Sequence, residues 1–368
     1  MRVSEVLHQD RALDFIARSL RRSRLPHGMI FSGPEGVGKQ MFATRLARVL
    51  LCDNPLLGNE GDTPEACDTC TNCDLSASGN HPDFNVVDRS LGTYLSDASA
   101  RRRKHTQLGV DIVREFLIEP AGLRPGSAAS KVFLIPEADL LNDSSQNALL
   151  KTLEEPPNDC YLILLVSTAS ALLETTRSRC QIIEFDALPD GFVADHLRNT
   201  QQLGDADINR LTVIAQGSAG RATWLATIAA HEHFDEALAA VMQAARDPVA
   251  ASQALQTLAK QITDKIKKTD TGDEADLNEA RVGQSTALAL TSVVVSEALR
   301  LASGSPARDL GLAAKYTDYF AKTPPSGWSA AARALSKAEY QIKRSFNVGL
   351  IFDAVGIALG RAVLGKAA

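Results

Sequence analysis

Apolar runs alternate with helix-spaced apolar positions through the first half of the chain. Residues 28–31, 81–87, 131–135, 161–166 and 182–185 are short, rich in β-branched or aromatic residues, and read as strands. Lys131-Val132-Phe133-Leu134-Ile135 and Tyr161-Leu162-Ile163-Leu164-Leu165-Val166 lack alternation, as strands buried on both faces do. Helical spacing appears in 4–22, through Val6, Leu13, Ile16, Ala17 and Leu20, and again after Gln40 and over 110–117. Residues 144–155 form a further helix, with Asp143 as its expected N-cap and Pro156-Pro157 as its stop. Residues 53–65 and 120–130 read as loops. Strands alternating with helices imply an α/β domain whose parallel sheet is covered on both faces.

Beyond Leu188 no convincing strand appears and alanine-rich helical segments dominate. Residues 189–230 can hold three short helices, including 208–215 and 221–229, and helical patterns return over 287–301, 330–346 and 348–364. The charged stretch 264–283 is either a linker or a solvated helix face. These shifts divide the chain into 1–188, 189–245 and 246–368, within what 368 residues allow.

Composition narrows the class. With 45% apolar and 23% charged residues the chain should be globular. The first twenty residues mix charges throughout and show no secretory signal, while the apolar stretch 348–359 is interrupted by Asp353 and too short to span a membrane. A cytoplasmic protein is expected. A net charge of −5 argues against a broad nucleic-acid footprint, although Arg101-Arg102-Arg103-Lys104 is either a solvated loop or a local contact.

Gly33-Pro34-Glu35-Gly36-Val37-Gly38-Lys39-Gln40 joins a strand to a helix and fits the phosphate loop G-x-x-x-x-G-K-[ST] except at its last position. Glycines let backbone N–H groups curl around a phosphate, the helix terminus adds partial positive charge, and Lys39 adds a full one. Gln40 lacks the hydroxyl that would bind Mg²⁺. Downstream, the strand ends Leu134-Ile135-Pro136-Glu137-Ala138-Asp139, so proline stands where a metal-orienting aspartate belongs. Two Mg²⁺ contacts are therefore missing, and charge on a transferring phosphate would be poorly neutralised. ATP or ADP is expected, at most, as an unhydrolysed ligand.

Cys52, Cys67, Cys70 and Cys73 offer four thiolates in C-x14-C-x2-C-x2-C spacing, suited to structural Zn²⁺ with no open position for catalysis. Arg179, in Ser178-Arg179-Cys180, belongs to a residue type that stabilises a neighbour's transferring phosphate when presented on a loop.

Over residues 1–230 the chain resembles the AAA+ clamp-loader subunits of bacterial DNA polymerase III, the delta-prime type above all. The likeness rests on 27–34, the cysteine insertion, His81-Pro82-Asp83, Asn147 through Pro157 and Ser178-Arg179-Cys180. It implies a RecA-like AAA+ domain with an inserted zinc module, a helical lid and an all-α collar that joins five subunits. Arg179 would then act in trans on ATP held by an adjacent tau/gamma-like subunit. Further implied partners are a delta-like subunit and, through the complex, a sliding clamp and primer-template DNA. Ser167-Thr168 would sense a γ-phosphate, and His8-Gln9 would border adenine. Cys52 lies farther from Cys67 than the family pattern leads one to expect. Arg221 falls one position beyond the lid's sensing arginine and is not assigned to nucleotide. An autonomous P-loop ATPase and a zinc-dependent DNA-binding regulator are the competing classes.

Overall fold

All five apolar runs become parallel strands: β1 Gly28–Ser32, β2 Phe84–Val86, β3 Lys131–Ile135, β4 Cys160–Val166 and β5 Gln181–Glu184. The computed structural model describes residues 3, 6–59, 62–102, 107–157, 159–269, 276–343 and 346–365. Strand order is β2-β3-β4-β1-β5. The register runs from Gly28↔Leu162 to Ser32↔Val166 on one side of β1 and from Met29↔Gln181 to Ser32↔Glu184 on the other. β1 and β3 are buried along their whole length, because helices cover both faces and leave no polar side.

The helices return the chain from the carboxyl to the amino edge of the sheet. Lys39–Leu51 follows β1, Asp143–Glu154 precedes β4, and Asp10–Arg21 leads into β1. Two expectations need correction. The side chain of Asn142, not Asp143, caps the helix 143–154: its Oδ1 accepts from Ser145 N at 2.9 Å, and Asp143 sits in the first turn, where its charge suits the helix dipole. The helix beginning at Val110 runs on through Pro120 to Ala121, because a π turn over Arg114–Ile118 widens the ladder just before the residue that has no N–H.

Chain contacts divide the molecule into two compact units, Met1–Leu188 and Pro189–Ala368. The second unit contains nine α-helices and no strand among its described residues. Its three early helices are Asp190–Thr200, Asp205–Ala215 and Ala219–Thr227. Pro248–Thr269 and Asp276–Ala302 show that the described parts of the charged stretch 264–283 are helical; residues 270–275 lie outside the described set. Trp328, Phe320 and Phe352 are fully buried in this unit's core. Residues 279–302 have the length and hydropathy of a membrane span, yet 67% of that window is buried inside the unit, as in a core helix. In the basic run, Arg101 and Arg102 are exposed, while Arg103 and Lys104 lie outside the described residues.

Candidate functional site

β1 ends against a turn whose backbone only glycine accommodates easily. Gly33, Gly36 and Gly38 have φ of 155°, 73° and 102°. A Cβ on Gly33 would also collide with the Phe185 carbonyl just beyond β5. The loop is further stapled by Gln9, almost fully buried, whose amide donates to Val37 O and Asp186 O and accepts from Asp186 N. Sequence reasoning missed this role, since Gln9 and Asp186 are joined only by folding.

Lys39 opens the helix that follows. Its ammonium is buried and donates to the carbonyls of Gly33 and Pro34, the latter at 2.7 Å. Burial pushes its pKa down, against the raising effect of the Asp139 and Glu35 charges. Gln40 is exposed. The side chains that would manage a metal or water are committed elsewhere. Glu137 pairs with Arg89 at 3.3 Å, and Asp139 accepts from Ser167 N at 2.8 Å and Ser167 Oγ at 3.2 Å. Thr168 Oγ1 lies 3.1 Å from Ser170 Oγ. This edge therefore combines a glycine turn and an inward-turned lysine with acidic side chains that are already engaged.

Arg179 lies at the other edge of the same sheet. Its carbonyl would be 3.4 Å from a Cβ placed on Gly28, the first residue of β1, and Gln181 pairs with Met29. The five residues from there to Gly33 span about 16 Å of strand, beyond the reach of its side chain. The guanidinium donates through Nε to Glu154 Oε1 at 2.7 Å and through Nη1 to Thr175 O at 2.9 Å, and Nη2 also pairs with Glu154. Folding thus separates the loop from the arginine.

The four cysteines converge. Cys52 closes the helix Lys39–Leu51, and Cys70 and Cys73 flank the start of the helix Thr71–Ala77. Sγ separations are 4.0 Å for Cys52–Cys70 and 3.9 Å for Cys67–Cys73, with all four within 4.8 Å of one another. Four sulfurs at tetrahedral corners, each bonded at ~2.3 Å to zinc, stand about 3.8 Å apart, so the donor set fits a metal of that size. Cys52 belongs to the set despite its sequence gap; its sulfur also accepts from Cys67 N at 3.3 Å. The Thr69 hydroxyl draws the Cys67 thiol down to about 6, and burial pushes Cys73 up to about 12. A bound cation favours thiolate at every position.

A buried polar network anchors this module to the sheet. Asn72 donates to Asp53 Oδ1 at 2.8 Å, while its Oδ1 accepts from Ser127 Oγ at 2.6 Å and lies 3.1 Å from His81 Nε2. Asp83 N donates to His81 Nδ1, and the Asp83 carboxylate accepts from the backbone of Gly126, Ser127 and Ala128 at 2.7–2.9 Å. Burial alone would raise the Asp83 pKa, but the donors of Ala128, Gly126 and Ser127 outweigh it and hold the group below the usual carboxylate range. His81-Pro82-Asp83 was legible as a motif, and its structural role emerges only here.

A five-stranded parallel sheet with a glycine turn and lysine at its first strand-to-helix junction, followed by a helical unit, defines a RecA-like α/β protein of the AAA+ kind. Residues 8–189 match the family described as DNA polymerase III, delta subunit, and through them the chain belongs to the clamp-loader subunits of DNA polymerase III. It is 30% identical over 190 residues to the delta' subunit of Bacillus subtilis, covering 51% of each chain, and 30% identical over 207 residues to that of Escherichia coli, covering 56% of each. Against the tau/gamma subunit of Haemophilus influenzae identity is 32% over 220 residues, 58% of this chain and 29% of that one. The chain therefore matches about half the length of these delta' relatives and less of tau/gamma. A gamma subunit-related protein of Thermotoga maritima aligns with TM-score 0.43 and 12% identity over 94% of this chain and 99% of its own.

Proposed function

We propose that this chain is a delta-prime-like stator of a replicative clamp loader, supplying Arg179 in trans to ATP on a neighbouring subunit without turning over ATP itself. The observation that carries this reading is the position of Arg179 at the amino edge of the sheet while the phosphate loop occupies the carboxyl edge. An arginine so placed cannot serve its own loop, whereas a neighbour packed against that edge can receive it. The committed side chains of Glu137 and Asp139, with Gln40 and Pro136, support a loop that holds phosphate at most.

In this reading the neighbours are tau/gamma-like and delta-like subunits of a cytoplasmic hetero-pentamer that acts on a sliding clamp and primer-template DNA. Residues 189–245 form the lid and 246–368 the collar. Cys52, Cys67, Cys70 and Cys73 hold structural Zn²⁺, which folds a segment otherwise poor in core residues.

The test is reconstitution with candidate partner ATPases, followed by ATP turnover with and without Arg179. Arg179→Ala should lower stimulated turnover while the assembly still forms; unchanged turnover sinks the trans role. Steady ATP hydrolysis by the isolated chain, abolished by Lys39→Ala, would instead identify an autonomous P-loop ATPase.

A further inference from the structure

Arg179 is not presented freely at the amino edge. Its Nε and Nη2 both address one oxygen of Glu154, and Nη1 is held by Thr175 O at 2.9 Å with Ser178 Oγ at 3.4 Å. Glu154 ends the helix Asp143–Glu154, whose start lies at the carboxyl edge and is fixed by the Asn142 cap. That helix is tied to the arginine's own segment by Gln146 Oε1, which accepts from Leu173 N at 2.8 Å and Thr176 Oγ1 at 3.3 Å. The carboxylate is thus delivered to the guanidinium by a rigid element packed on the segment that carries the arginine.

Two consequences follow from the geometry. The carboxylate takes Nε and one side of Nη2, and the Thr175 carbonyl and Ser178 Oγ take Nη1, which leaves the second Nη2 hydrogen for a further acceptor. Both side chains are partly open to solvent, at 32% for Arg179 and 47% for Glu154. An ion pair so exposed contributes little to stability, so a structural explanation for it is weak. Its larger effect is to restrict a long, flexible side chain to one orientation.

We infer that Glu154 is a positioning residue for Arg179, fixing the guanidinium through Nε so that its remaining Nη2 N–H meets a phosphate on the neighbouring subunit. This rests on the reading of Arg179 as trans-acting. Pre-orientation removes the entropy loss of ordering the arginine at the moment of reaction, and loosening such a group lowers the chemical rate rather than nucleotide affinity. The charge of Glu154 is not itself required at the phosphate, since a carboxylate there would repel it. What is required is an acceptor oxygen at that place.

The experiment uses the reconstituted assembly and compares Glu154→Ala, Glu154→Gln, Arg179→Ala and the Glu154→Ala/Arg179→Ala double variant. Glu154→Ala is expected to lower kcat for ATP about tenfold with KM unchanged, while Glu154→Gln, which keeps an acceptor oxygen, stays within about threefold of the parent. The double variant should match Arg179→Ala alone, because Glu154 acts through the arginine. If Arg179→Ala slows turnover but Glu154→Ala leaves it unchanged or raises it, the positioning role is overturned and the trans role stands. If Arg179→Ala has no effect, the trans role itself fails. Equal loss in the alanine and glutamine variants, or a further loss in the double variant, also overturns the inference. Thermal melting of each variant separates these outcomes from misfolding.

Discussion

At the carboxyl edge of the sheet, three glycines shape a strand-to-helix turn and Lys39 turns back on the loop's own carbonyls. At the amino edge, Arg179 sits in a frame of acceptors, and the chain between helix 39–51 and β2 is gathered by four cysteines and the Asn72–His81–Asp83 network. The first edge retains a backbone shape but lacks the side chains for phosphoryl transfer. The second has no cradle, yet its functional side chains are braced. On the proposed reading, one sheet keeps a binding form at one end and contributes charge to a second molecule from the other.

Removing the metal proposed for the four cysteines tests the amino edge most severely. Chelation, or Cys70→Ser, should abolish stoichiometric zinc and forfeit about 10–16 kcal/mol of apparent binding free energy. Hydrogen exchange should rise over residues 52–77 while β1 stays protected; unchanged exchange in the metal-free chain would remove zinc from the fold of this module.

The contrast in chemistry is next. Arg179→Ala should cost about 10³-fold in turnover at the interface it serves, measured as single-turnover ATP hydrolysis in the assembly.

Asp83 should matter through stability alone. Asp83→Ala leaves three backbone donors unpaired and is expected to destabilise the first unit by about 3 kcal/mol in urea denaturation. The Asp83 pKa is lowered in the folded chain, so its stabilisation is fully present above the unfolded value and is lost as pH falls through the folded one. The gap between wild type and Asp83→Ala should be constant above about pH 5 and close below about pH 4. A gap that persists at low pH would show that the carboxylate is not the stabilising species.

The smallest effect belongs to the carboxyl edge. Lys39→Ala should change turnover of the assembly by less than about twofold, because in the proposed function no step of the reaction passes through this loop. A large loss would erase the contrast between the two edges.

Much of this arrangement was legible along the chain. Apolar runs located β1, β3 and β4 because these strands are buried almost throughout, the partly open outer strands β2 and β5 still carry short apolar runs, and glycine and cysteine spacing marked the loop and the thiol cluster because both depend on local geometry. Boundaries were less secure. Asn142 rather than Asp143 caps its helix because the cap needs an extended residue three positions before its donor, and either side chain satisfies the local pattern. Pro120 marked a loop by rule, while a π turn let the helix pass it. Glu154 carried no signal as a partner of Arg179, and Gln9 none as a staple on Asp186.

The sequence by itself determined the elements and the types of chemistry available: a glycine turn with a lysine, a missing hydroxyl, four thiols and a loop arginine. Those properties reside in residue identity and short spacing. Tertiary structure decided where they point. Strand order and parallel register put the loop at one end of β1 and Arg179 at the other, about 16 Å apart from Gly28 to Gly33, a separation no local pattern encodes. Packing of helix 143–154 then supplies the carboxylate that turns an exposed arginine into an oriented one.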